Sequence, residues 1–85
     1  MIPRLAEIQR ILLHEWDPIG VADSPDAADE YDSYAFQIFT MLKSRAAEAD
    51  IARYLDRVQS EHMALPPTPD HNRRIAAAVA RLDGA

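Results

Sequence analysis

The sequence predicts an all-α fold: a compact bundle of about four short helices, approximately 4–16, 30–44, 47–63 and 69–82, in one small domain over residues 1–85. Three observations predict it. Apolar residues recur at three- and four-residue steps through four segments, with no strand-like alternation anywhere. Proline, glycine and short polar capping residues fall between those segments, around Pro18, Gly20, Pro25 and the Pro66–Pro69 stretch. A chain of 85 residues that is 48% apolar is too hydrophobic for general disorder and long enough for a single modest core.

The first helix is expected over 4–16. Leu5, Ile8, Ile11, Leu12 and Trp16 share one face, and Pro3 suits the first turn, where its missing N–H is not needed. Asp17 precedes Pro18 and is pushed out of the α region, which stops the helix. Asp17-Pro18-Ile19-Gly20 then has the residue order of a type I turn.

The second helix has two candidate starts. Ser24-Pro25-Asp26 has the form of an N-cap, a first-turn proline and a dipole-facing acid. Asp29, with Glu30 and Asp32 behind it, offers another. The favoured reading is a short helical turn near 25–28 and a main helix from about 30 to 44; one continuous helix from Pro25 is the alternative. Tyr31, Ala35, Ile38, Phe39 and Leu42 form its stripe.

The third helix, 47–63, buries Ile51, Leu55, Val58 and Met63, with Tyr54 at the margin. Arg53–Asp56 and Arg57–Glu61 are expected to pair along its outside. Pro66 and Pro67 break the chain. Thr68-Pro69-Asp70 repeats the cap logic, and Ile75, Ala78, Val79 and Leu82 stay in register over 69–82 until Gly84.

Charge is concentrated in one place. Residues 15–32 carry −7, against a net charge of −5 for the whole chain. Direct nucleic-acid binding needs a basic face, so it is not expected, and a basic protein partner is. Cysteine is absent, which excludes a disulfide framework, a thiolate metal site and a Cys nucleophile. The start of the chain carries Arg4, Glu7 and Arg10 with no apolar signal-like run, and no segment reaches the roughly 20 apolar residues of a membrane span. A soluble, cytoplasmic protein is therefore expected.

The usual chemical constellations fail on spacing. The acids Asp23, Asp26, Asp29, Glu30 and Asp32 do not keep the offsets of a calcium loop, and Gly20 precedes them. His14, His62 and His71 stand in no H-x-x-x-H frame, and His71 is expected to be exposed. No serine has nucleophile-elbow context, and two glycines are too few for a phosphate loop. No catalytic residue, resident metal or cofactor is assigned. Trp16 is read as a core or core-edge anchor whose indole N–H needs a partner, such as an acid or carbonyl of the following loop. The functional alternative is an aromatic hot spot on a binding face. Tyr31 and Tyr34 are three apart, so one should pack and the other point outward.

E-W-D-P-I-G-V (15–21) followed by D-E-Y-D-S-Y (29–34) resembles the signature of the YugE-like family, small helical bacterial proteins of unknown function. The resemblance spans Ile8 to about Leu65 and rests on Glu15, Trp16, Asp17, Pro18, Ile19 and Gly20, and on Asp29, Glu30, Tyr31 and Asp32. It implies a small all-α bundle in the bacterial cytoplasm and no known reaction. Relatives of that family often carry Gly near Arg45 and a Ser or Thr cap near Ala47; this chain has neither, so its third helix begins without a good N-cap.

Three functional readings follow. The leading one is a non-enzymatic protein-interaction module, of the immunity or antitoxin kind by analogy, whose partner-binding surface is Trp16, Asp17, Asp29, Glu30, Tyr31 and Asp32. The second is a divalent-metal-dependent binder or enzyme using Asp17, Asp29 and Asp32, with His14. The third makes Asp17, Asp29 and Asp32 architectural, with carboxylates satisfying loop N–H groups or capping the next helix. Ile19, Val21 and Phe36 lie outside the stripes and leave apolar surface for a homodimer.

Overall fold

The computed structural model describes residues 4–20 and 29–84 and contains the four expected helices. Helix α1 (Arg4–Ile11) runs into a π-helical turn, Leu12–Trp16; helix α2 is Asp32–Lys43; helix α3 (Glu48–Arg57) runs into a second π-helical turn, Val58–His62; helix α4 is Pro69–Gly84. There is no strand among the described residues, and no helix among them is long and apolar enough to cross a membrane. The helical turn expected near 25–28, and Val21, lie outside the described residues.

The two π turns solve one packing problem twice. At 100° per residue, a continued α-helix would swing Trp16 to the flank of the Ile8–Leu12 stripe and turn Glu15 toward it. The wider turn uses one more residue before it closes, with Asp17 N–H donating to Leu12 C=O at 2.9 Å. Trp16 thereby lies under Leu12 in the core, while His14 and Glu15 face solvent. In α3, Met63 N–H donates to Val58 C=O at 3.2 Å, so Met63 packs on the core and His62 stays outside. Asp17 ends the first π turn in the left-handed region (φ 33°), and Ala64 stands just past the second with φ 53°.

The expected turn over 17–20 closes through Gly20 N–H to Asp17 C=O at 3.3 Å. Helix α2 starts two residues later than expected, because residues 29–31 form a turn closed by Asp32 N–H to Asp29 C=O at 3.1 Å. It ends in a Schellman motif: Ala46 N–H reaches Met41 C=O and Arg45 N–H reaches Leu42 C=O, each at 3.0 Å. That motif needs a left-handed residue at Arg45, whose φ is 62°.

Ala47, in extended geometry before α3, has no side chain that can cap. Asp50 supplies half a capping box instead, its Oδ2 accepting the Ala47 N–H at 3.2 Å. Asp50 also pairs with Arg53, which corrects the expected Arg53–Asp56 pair: Asp56 is engaged by helix α4. The Arg57–Glu61 pair forms at 3.6 Å on the surface. Ile8, Leu12 and Trp16 of the first helical segment meet Tyr31 and Ile38, then Ile51, Leu55 and Val58, then Ile75 and Val79, in one continuous core. Helix α3 packs along α4, and α1 packs against both α2 and α4.

Candidate functional site

The joint after α1 is held from the inside by two polar systems. The first begins at Trp16, which is 3% exposed. Its Nε1–H donates to Asn72 Oδ1 of α4 at 2.8 Å, so its partner is not an acid or carbonyl of the following loop. Asn72 is fully buried, and its Nδ2 donates to Gln59 Oε1 at 2.7 Å and to Asp56 Oδ1 at 2.6 Å. Gln59 is the second buried polar side chain of the described core; its Oε1 accepts the Thr68 N–H at 3.1 Å, and its Nε2 donates to Thr68 Oγ1 at 3.2 Å. Every buried side-chain N and O among the described residues has a partner, as a low-dielectric interior demands. His71 Nε2–H donates to the Glu15 carbonyl at 2.9 Å, tying α4 to the π turn. It is half-buried there, not exposed as its place in the sequence suggests.

The second system centres on Tyr31, which is 2% exposed. Its hydroxyl donates to Asp17 Oδ1 at 2.8 Å and accepts the Ile19 N–H at 3.3 Å. One phenol thus holds both a left-handed aspartate and the amide of the next turn. Burial pushes the Tyr31 phenol well above the ordinary tyrosine range, and the hydrogen bond to the Asp17 carboxylate adds to the rise. The Trp16 ring lies 5.4 Å from the Tyr31 ring, tilted, and 6.4 Å from the Tyr34 ring, edge-on. Tyr31 packs, as one of the pair should, whereas Tyr34 is half-buried on Trp16 rather than turned out.

The six residues named from the sequence therefore separate. Trp16 and Tyr31 are interior, at 3% and 2% exposed, and Trp16 forms part of the wall of an open groove of about 360 Å³ with Pro18, Pro66, Pro67 and His71. Asp17 is half-buried and engaged by Tyr31. Asp29 and Glu30 are exposed, and Asp32 is half-exposed. Asp29 and Asp32 border an open groove of about 330 Å³ whose other wall is Gln9, Arg10, Leu13 and His14. His14 thus lies near two of the acids proposed with it as ligands. Even so, no three His, Asp or Glu side chains among the described residues converge to hold a metal ion.

Sequence reasoning missed Asn72, Gln59 and Asp56. A signal for Asn72 existed, because it precedes Ile75 and Ala76 by three and four residues and so lies on the buried face of α4. Among the described residues, the large apolar side chains that do face solvent are Phe36, 60% exposed, and Ile19, 40% exposed. No protein-family model, no curated protein and no solved structure matches this chain.

Proposed function

We propose that this protein is a protein-interaction module that receives a basic segment of its partner on the acidic rim of the α1–α2 joint. The observation that supports it is the division of the joint. Its aromatics and Asp17 are used inside, and Asp29, at the groove, and Glu30 are left outside with no ion-pair partner among the described residues. Unpaired acids backed by a rigid, fully bonded interior steer a basic partner at little ordering cost. Phe36, on the helix that begins at this rim, takes the role of aromatic contact that Trp16 cannot fill. An immunity or antitoxin-like protein masking a basic toxin face is one form of this reading, by analogy alone.

Kinship with the YugE-like domains is proposed on similar footing. The sites where those relatives carry glycine and a Ser or Thr cap coincide with a left-handed backbone at Arg45 and an N-cap geometry at Ala47. A reversed-charge pair tests the interaction reading. Asp29→Lys with Asp32→Lys should leave the melting temperature close to wild type and abolish affinity capture of the native partner. Unchanged capture would remove the acidic rim from the interface.

A further inference from the structure

We propose that one flank of helix α2 is a self-complementary docking face for a second copy of this chain. This goes beyond the interaction reading above; it rests on the charges of α2 and on its two phenylalanines, and it shares Asp32 and Phe36 with the surface proposed there.

Helices α1, α3 and α4 each pair charges along their own surfaces: Arg10 with Glu7, Arg53 with Asp50, and Arg73 with Asp70. Helix α2 does not. Asp32 at its start and Lys43 at its end have no ion-pair partner among the described residues. Asp32, Phe36, Phe39 and Lys43 are spaced by four, three and four residues, which puts them on one flank. The Lys43 Nζ lies 5.4 Å from the Phe39 ring centre, which shows that the cation stays on that flank. Between the two charges stands Phe36, the most exposed large hydrophobic side chain of the described residues at 60%.

The order acid, Phe, Phe, base reads the same when reversed with opposite charge. A two-fold axis passing midway along α2 places Asp32 of one copy opposite Lys43 of the other, and Phe36 opposite Phe39. Each contact then occurs twice, as an isologous interface requires. The two charges lie about 16 Å apart along the axis at about 1.5 Å per residue, so an antiparallel partner helix meets both at once. The paired helix dipoles run in opposite directions. A second copy is therefore the occupant whose charge pattern this flank fits.

Sedimentation equilibrium of the full chain over a wide concentration range tests it. Wild type should show a reversible monomer–dimer equilibrium that weakens with added salt. Asp32→Lys and Lys43→Glu should each raise the dimer Kd about tenfold or more, because each substitution acts twice. Mixing these two variants should restore a dimer, since each cross-pair is again opposite in sign. Phe36→Ser, which leaves every charge in place, should weaken the dimer as well. Wild type monomeric throughout, single variants that dimerise like wild type, or a mixture that stays monomeric would each overturn the proposal. Lys43→Glu leaves Asp29 and Glu30 untouched and should still capture a basic partner, so loss of the dimer and loss of the partner are separate results.

Discussion

Asn72→Leu removes the centre of the buried polar network while keeping its approximate volume. The Trp16 N–H then loses its acceptor in a largely dry site, since Trp16 is 3% exposed and Asn72 fully buried. An unsatisfied buried donor costs about 1–3 kcal/mol. The hydrogen bond that Asn72 Nδ2 donates to Asp56 is also lost; Asp56 is half-buried and can rehydrate, so this adds about 1 kcal/mol, below the usual range for hydrogen bonds to charged groups. Gln59 Oε1 keeps the Thr68 N–H and adds little. The expected loss is about 3 kcal/mol, partly offset by the apolar side chain. A domain of this length has a total stability of about 4–13 kcal/mol, so the variant should melt at least about 10 °C lower. Urea unfolding followed by Trp16 fluorescence and by far-ultraviolet circular dichroism measures the change, with coincident curves as the check on two-state behaviour. A double-mutant cycle with Trp16→Phe should show a coupling of about 1 kcal/mol or more. A loss below about 0.5 kcal/mol, or no coupling, would mean that the network does not hold the joint.

Tyr31→Phe should cost about 1–3 kcal/mol and speed hydrogen exchange at the Ile19 amide, because the Asp17 carboxylate and that amide lose their shared partner. The Tyr31 phenol is raised in the folded state, so the stability it contributes is intact below the ordinary tyrosine value near 10 and is lost as pH rises above it. Burial also raises Tyr54. Spectroscopic titration should therefore show Tyr31 and Tyr54 lagging behind free tyrosine, with Tyr31 ionising only as the protein unfolds. Arg45→Gly should stabilise the chain by about 1 kcal/mol by relieving a left-handed side chain, as read from the melting temperature. Ala47→Ser should add about 0.5–1 kcal/mol, because the extended N-cap geometry is already present and lacks only the acceptor.

The helices were readable because their stripes are regular and their ends are marked by proline and caps. The late start of α2 was not, since Asp29 and Glu30 look like first-turn acids whether they lie in the helix or in the turn before it. The π turns were also hidden: Leu12 and Trp16 are four apart, a spacing an α-helix and a π turn both accept, and only the exclusion of Glu15 separates the two. The joint itself was legible, and the use the fold makes of its side chains was not. The concentration of acids, Trp16 and the tyrosines marked the joint between the first two helices. Their partners lie far off in sequence, Asn72 being 56 residues from Trp16, and one sequence does not reveal such a pairing. Asp17 shows the same effect at shorter range. It looks like one more acid of a surface cluster until Tyr31 is folded over it.

The joint uses Trp16 and Tyr31 internally and presents its acids. Acrylamide quenching of the single tryptophan tests this most directly. A buried, hydrogen-bonded Trp16 should emit toward the blue and be quenched far less in the native protein than in urea, and native quenching should be the same with Asp29→Lys and Asp32→Lys. Red-shifted native emission with quenching equal to that of the unfolded chain would place Trp16 on the surface and contradict the account.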